Sequence, residues 1–312
     1  MSVSVVIPVF NSEPILESLV RRLEPVLRGL SRPFEAILVD DGSRDGSGDL
    51  IRRLARDRPW LRGIHLMRNY GQHNALLCGI RAARHGVIVT MDDDLQHPPE
   101  EIPRLLEKLE EGPEVVYGVP QEESHEFWRA LASRITKLAL SSAMGIDVAR
   151  HVSAFRAFRT PLREAFAGYR SPFVTLDVLL TWGTTRFAAV AVRHDPRPAG
   201  RSNYTFLRLV SHALTMLTSF SVKPLQLASW VGFGCTLFGI GILAWVVGRY
   251  FRQGDPVPGF PFLASVIAIF SGAQLFALGI IGEYLARVHF RTLDRPSYVI
   301  RGEESTSGRT DS

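Results

Sequence analysis

The sequence predicts an α/β protein: a mostly parallel sheet flanked by helices, followed by a C-terminal pair of apolar helices. Three observations predict it. Short β-branched runs alternate with segments of helical periodicity over the first 118 residues. Three of those runs end in polar or acidic residues: Asn11 and Glu13, Asp40 and Asp41, and Asp92 to Asp94. No charge occurs between Lys223 and Arg249, nor between Asp255 and Glu283.

The elements follow in order. Residues 2–10 read as a strand, after which Asn11 or Ser12 can cap a helix with Leu16, Leu19, Val20, Leu23, Val26 and Leu27 at helical spacing. Residues 34–39 form a second strand, 46–56 a helix, and 61–67 a third strand. Asn69 to Asn74 leads into a helix running through Arg84. Residues 87–91 are a short, β-branched strand that stops at three carboxylates. Pro98, Pro99, Glu100 and Glu101 then open a helix over about 99–111, since proline suits the first turn and glutamate the positive end of the helix dipole. Residues 114–118 and 187–192 read as further strands.

In open α/β sheets, ligands bind at the carboxyl ends of the strands. Side chains two apart on an extended chain point the same way, so Asp92 and Asp94 can converge. Adjacent carboxylates repel unless a cation offsets them, and Mg²⁺ or Mn²⁺ prefers oxygen ligands. Solvated turn and cap residues would carry the same pattern, and spacing alone leaves both readings open.

The 312 residues are 46% hydrophobic and 21% charged, enough for a large core. The net charge of +5 rests on arginine, since lysine occurs only at 108, 137 and 223. No zinc-finger spacing or long basic run points to nucleic acid. Cys78 and Cys235 provide no disulfide framework. The N-terminal residues lack the basic start of a signal peptide. A charge at a helix centre costs roughly 2.5–3.5 kcal/mol on insertion, so the two charge-free windows read as membrane spans at about 225–248 and 260–283. Gly254, Pro256, Pro258 and Gly259 make the link a tight turn.

The motifs carry a resemblance. Val5-Val-Ile-Pro-Val-Phe-Asn11, Val39-Asp-Asp-Gly-Ser43 and Met91-Asp-Asp-Asp-Leu-Gln-His-Pro-Pro-Glu100 resemble family 2 glycosyltransferases of the GT-A fold. Arg68-Asn-Tyr-Gly-Gln-His-Asn74, Gly200-Arg-Ser-Asn-Tyr204 and the paired spans narrow this to polyprenyl-phosphate glycosyltransferases. Tyr117-Gly-Val119 and Trp128-Arg-Ala-Leu-Ala-Ser133 are most similar to the undecaprenyl-phosphate aminoarabinose-type transferases.

The resemblance implies a sugar moved, with inversion, from a nucleotide sugar (UDP in preference to GDP) to a polyprenyl phosphate. It places Pro8, Phe10, Asn11 and Glu13 against the nucleotide, with Asp40, Asp41 and Asp93 beside it. Asp92 and Asp94 match the pair that holds Mg²⁺ or Mn²⁺, with Gln96 as a third ligand; His97 is read as a polar loop residue. A phosphate monoester is already largely anionic at neutral pH, its second pKa being near 6, so no dedicated catalytic base is required. Arg129, Arg134, Lys137 and Arg201, with Ser202 and Asn203, are candidates to position the acceptor phosphate. Gln121 stands where relatives carry arginine. Asp177 either receives sugar hydroxyls or is a paired structural aspartate.

The expected organisation is a catalytic domain over 1–203, an interfacial amphipathic helix over 204–222, the helix pair over 223–288, and a tail over 289–312 with a disordered end. Arg193, Arg197, Arg201, Arg208 and Lys223 before the spans, and Arg287, Arg291 and Arg295 after them, favour both termini and the catalytic domain on the cytoplasmic face of the inner membrane, against Arg249 and Arg252 in the short link. Partners are then the donor, the acceptor and the bilayer; a homo-oligomer is compatible with this arrangement. Two alternatives stand beside it. A processive polysaccharide synthase is disfavoured by two spans and by the lack of a Gln-x-x-Arg-Trp motif. A non-catalytic scaffold is disfavoured by the intact Asp92, Asp94 and Gln96.

Overall fold

The computed structural model describes residues 1–120, 152–171, 174–195, 223–253, 259–293 and 295–304. The chain divides into two compact units, one comprising residues 1–209 and 294–312 and the other residues 210–293.

In the first unit, β1 (Val3–Val9), β2 (Phe34–Asp40), β3 (Leu61–Leu66) and β4 (Val87–Thr90) run parallel, with β1 between β2 and β4. Helices α1 (Glu13–Gly29), α2 (Ser47–Arg56) and α3 (Gln72–Ala82) form the crossovers, and α4 (Ile102–Glu110) follows the acidic run after β4. Pro99–Glu101 is a short 3₁₀ turn ahead of α4, so the helix expected from Pro99 begins in two steps. Ser12 holds the N-cap position of α1 without a side-chain cap bond. Its carbonyl instead accepts the N–H groups of Ile15 and Leu16.

Among the described residues, the sheet has eight strands in the order β7-β5-β6-β4-β1-β2-β3-β8, where β5 is Val115–Pro120, β6 Arg156–Arg159, β7 Phe187–Val192 and β8 Ile300–Glu304. Two strands go beyond the sequence reading. β6 lies antiparallel between β4 and β5, and β8 lies antiparallel on the outer edge of β3. The tail is therefore not uniformly irregular: Gly302, Glu303 and Glu304 are part of the sheet.

Alternation along the strands sends side chains to two cores. Val3, Val5, Ile7 and Val9 face Leu16, Leu19, Val20, Leu23 and Leu27 of α1, with α2 and α4 completing the layer. Val6, Ile37, Val39 and Ile88 face Ala75, Leu76, Leu77 and Ile80 of α3 and the short helix Leu176–Thr181. Each fully buried Leu, Ile or Val contributes about 1.5–3 kcal/mol relative to exposure. At Gly79 a Cβ would lie 2.4 Å from Val6 Cγ1, so α3 sits almost directly on β1. That close seat fixes where the N-terminal end of α3 meets the strand ends.

The described residues of the second unit form two long helices, Lys223–Gln253 and Gly259–Thr292. They carry apolar stretches long enough to cross a bilayer, Ala228–Arg249 and Ile269–Ala286. They pack on each other; a Cβ on Gly239 would stand 2.6 Å from the Phe270 ring. Their outward faces are apolar, with Trp230 71% and Leu275 69% exposed. Both helices run further than the expected spans, the second as far as Thr292. The expected interfacial helix over 204–222 lies outside the described residues.

Candidate active site

Strand ends β1, β2 and β4 converge on one edge of the sheet. There they enclose a cleft of about 230 Å³ lined by Pro8, Val9, Phe10, Asp41, Asn69, Gln72, Asp92, Asp93 and Asp94. Six expected site residues thus share one cleft: Pro8, Phe10, Asp41, Asp92, Asp93 and Asp94. Asn69 and Gln72 come from the Arg68–Asn74 stretch, to which the sequence alone gives no individual roles.

The geometry of this edge follows from the backbone. Leu95 has φ 59°, a left-handed conformation uncommon outside glycine. Its buried side chain anchors the turn that follows the carboxylates. Asp94 is buried, and its Oδ1 accepts the backbone N–H of Gln96 at 3.1 Å, folding the acidic run back on itself. Burial pushes the Asp93 carboxyl above its usual range and the Asp94 charge adds to this, against hydrogen bonds from the Ser12 side chain and the Phe10 backbone. Asp92 Oδ1 accepts Gln72 Nε2–H at 2.5 Å.

Asp41 reaches across to the segment before α3. Its two oxygens accept the backbone N–H groups of Tyr70 at 2.7 Å and Gly71 at 2.8 Å. Burial nevertheless raises its pKa, with the neighbouring Asp40 charge contributing. Gly42 makes the close approach possible: its φ is +68°, and a Cβ there would lie 2.5 Å from the Arg68 carbonyl carbon. The Arg68 guanidinium lies over the Tyr70 ring, 4.4 Å from its centre.

Asn11, Glu13 and Asp40, expected against the nucleotide, are not among the residues that line this cleft; each is hydrogen-bonded to the loop that follows β2. Asn11 Oδ1 accepts the Arg44 N–H and the Asn11 N–H donates to Ser43 Oγ. Glu13 accepts the Gly46 N–H ahead of α2. Asp40 accepts the Ser43 N–H at 2.9 Å and pairs with His65 Nδ1 at 3.0 Å. Burial would raise Asp40, but the His65 and Ser43 bonds outweigh it and hold its carboxyl below the usual range. These three residues build the rim.

Gln96, the expected third metal ligand, also lies outside the lining. Its backbone carbonyl accepts the Asp195 N–H at 2.8 Å. His97 is packed rather than solvated, stacked on Phe155 and set edge-on to His194. Burial lowers its pKa to about 4, so the ring is neutral at pH 7. Asp177 takes the paired structural role: it is buried, bonded to Arg156 and to the Tyr117 hydroxyl. Arg129, Arg134, Lys137, Arg201, Ser202 and Asn203 lie outside the described residues.

Among the described residues, the polar lining consists of oxygen and amide groups, without thiol or imidazole. That donor set suits a hard cation such as Mg²⁺ or Mn²⁺. Among the described residues, no three His, Cys, Asp or Glu side chains form a ready-made metal cage. A cation held by one or two carboxylates, with its shell completed by water and phosphate oxygens, does not need one.

Residues 4–166 match the family model described as glycosyl transferase family 2. The chain belongs to that family. It is 37% identical over 301 residues to the undecaprenyl-phosphate 4-deoxy-4-formamido-L-arabinose transferase of Pseudomonas paraeruginosa, covering 96% of this chain and 89% of the relative. The protein of the same name from Shewanella sediminis is 34% identical over 302 residues, covering 96% and 91%. A glucosyl-3-phosphoglycerate synthase from Mycobacterium tuberculosis, solved with Mn²⁺ and UDP-glucose, superposes with a TM-score of 0.53 at 21% identity, over 70% of this chain and 77% of that one. At that identity the likeness concerns the fold, which is GT-A. This family 2 member is therefore a glycosyltransferase, with the acidic cleft at the strand ends of its GT-A sheet.

Proposed function

We propose that this glycosyltransferase moves one sugar from a nucleoside diphosphate sugar, UDP-linked in preference to GDP-linked, to a polyprenyl phosphate at the cytoplasmic face of a membrane. The observation that carries the reading is the run Asp92-Asp-Asp94 opening into the same cleft as Asp41 and the exposed Phe10 ring. Similarity to undecaprenyl-phosphate transferases over 96% of the chain supports the acceptor class. The apolar outward faces of the two long helices support attachment to a bilayer.

In this reading Phe10 offers a flat apolar face to the base, and Asp41 completes the nucleotide wall beside it. Asp92 and Asp94 would hold Mg²⁺ or Mn²⁺, which supplies Lewis-acid stabilisation to the departing diphosphate. Gln72 holds Asp92, and the turn at Leu95 holds Asp94. The acceptor phosphate arrives as an anion, so the chain's task is to position its oxygens in line with the anomeric carbon and keep water away. Arg129, Arg201 and Ser202 are proposed for that task from the sequence. The outcome is inversion at the anomeric carbon.

Incubating the full-length protein in detergent or vesicles with undecaprenyl phosphate, Mn²⁺ or Mg²⁺ and a panel of labelled UDP- and GDP-sugars tests this. Label entering the lipid phase from a UDP-sugar is expected. Absence of labelled lipid from every donor would contradict the reading.

A further inference from the structure

We propose that the C-terminal strand β8 positions the rim of the cleft through a line of hydrogen bonds, Glu304–His65–Asp40–Ser43–Asn11, making Glu304 and His65 positioning residues for nucleotide binding. The inference rests on the reading above, in which this rim borders the nucleotide.

The line is continuous and its middle is buried. Glu304 Oε2 lies 2.7 Å from His65 Nε2, and His65 Nδ1 lies 3.0 Å from Asp40 Oδ2. The other Asp40 oxygen accepts the Ser43 N–H at 2.9 Å, and Ser43 Oγ accepts the Asn11 N–H at 3.0 Å. The side chains of His65 and Asp40 are 4% and 9% exposed. Each ring nitrogen of His65 faces a carboxylate, and only the imidazolium can donate to both. Burial lowers the His65 pKa, but the Asp40 bond and the Glu304 charge reverse this and raise it above the ordinary imidazole value.

The surroundings are shaped to admit the line. A Cβ on Gly48 of α2 would lie 3.0 Å from Asp40 Oδ2, and one on Gly63 of β3 would lie 3.3 Å from Glu304 Oε2. The strand is fastened by a separate set of contacts. Glu303 pairs with Arg62 at 2.6 Å, Arg62 pairs with Glu35 at 2.7 Å, and Met67 N–H donates to the Val299 carbonyl. Those contacts explain why β8 stays on β3. They do not explain why a tail carboxylate reaches past the strand pairing to a buried histidine whose other nitrogen holds the residue at the β2 end. The finger of rim that Asp40 stabilises continues directly into Asp41, which does line the cleft.

The test is UDP binding with Mn²⁺ by calorimetry on the full-length protein, with GDP as comparison, for wild type, Glu304→Gln, Glu304→Asp, His65→Gln and Glu303→Gln, each with a thermal melt. Glu304→Gln is expected to weaken UDP about tenfold, within the range of coupling between distinct sites, with Glu304→Asp partly restoring it. Glu303→Gln is expected to lower the melting temperature with less than twofold change in UDP affinity. Wild-type affinity should fall as pH rises through the raised His65 pKa, and that dependence should vanish in His65→Gln. Equal UDP affinity and pH dependence in wild type and Glu304→Gln would overturn the proposal while leaving the functional reading intact. Failure of wild type to bind either nucleotide would overturn the functional reading and the proposal with it.

Discussion

Gln72, at the start of α3, donates its side-chain amide to the first carboxylate of the acidic run, Asp92 Oδ1, across 2.5 Å. One residue earlier, the Gly71 N–H donates to Asp41. The N-terminal end of α3 and the glycine before it thus touch two separate acidic strand ends at once. It sets the distance between the carboxylates that face the cleft.

Gln72→Leu should therefore weaken metal binding without unfolding the domain. Loss of an outer-shell partner typically costs roughly 10–100-fold in metal affinity. The Mn²⁺ concentration giving half-maximal transfer should rise by that order, and excess Mn²⁺ should restore the rate. An unchanged Mn²⁺ dependence would remove Gln72 from this role.

Asp94→Asn should abolish metal-dependent transfer while leaving membrane insertion and the melting temperature near wild type. The amide keeps the size of the carboxylate and can still accept the Gln96 N–H through its oxygen. It loses the charge that a hard cation requires. Undiminished transfer at saturating donor would place the metal elsewhere.

Asp177→Ala should destabilise the catalytic unit by about 3–5 kcal/mol, because it leaves the buried Arg156 without its counter-charge. Denaturant unfolding measures this. At temperatures where the variant stays folded, its affinity for UDP should match wild type. A selective loss of donor affinity with normal stability would restore the sugar-binding role.

His65 also sets a pH dependence of stability. Its folded pKa is raised, so its contribution is fully present below the unfolded imidazole value of about 6.5 and is lost as pH rises through the folded value. Among the described residues, the charged groups that act on it are Asp40 on β2, Glu304 on β8 and Asp49 on α2. Asp40, held low, contributes in the opposite sense: its stabilisation is present above the ordinary carboxylate range and lost on acidification. Wild type should lose melting temperature more steeply than His65→Gln as pH rises from about 6.5 through the raised folded value. Parallel curves would show that the imidazolium contributes nothing.

Much of this was legible in the sequence for physical reasons. Ser2 to Phe10 and Phe34 to Val39 are β-branched runs with few alternatives, and the helix after Asn11 has a strict apolar stripe that the packing of Leu16, Leu19 and Leu23 bears out. The charge-free windows show themselves through charge alone. What stayed hidden depends on partners far along the chain. Ile300-Arg-Gly-Glu-Glu304 has little strand character of its own; Arg62, about 240 residues earlier, fastens it to the sheet edge by pairing with Glu303. β6 has four residues with arginine at both ends, and the charge of Arg156 is tolerated inside only because Asp177 meets it.

The site divides along the same line. That Asp92 and Asp94 face a cleft follows from their place at a strand end. That Asn11, Glu13 and Asp40 face the rim depends on Arg44, Gly46 and Ser43, which arrive from the next loop. Gln72 stood in view within Arg68-Asn-Tyr-Gly-Gln-His-Asn74, but the Asp92 contact needed the seating of α3 on Val6 through Gly79.

The most direct test of the central claim is mass spectrometry of the lipid phase after the full-length protein has turned over a UDP-sugar with undecaprenyl phosphate and Mn²⁺. The expected product is a polyprenyl monophosphate bearing a single sugar, formed in equal amount with free UDP and absent in Asp94→Asn. A polymeric product, a sugar joined through a diphosphate, or UDP released without glycolipid would contradict it.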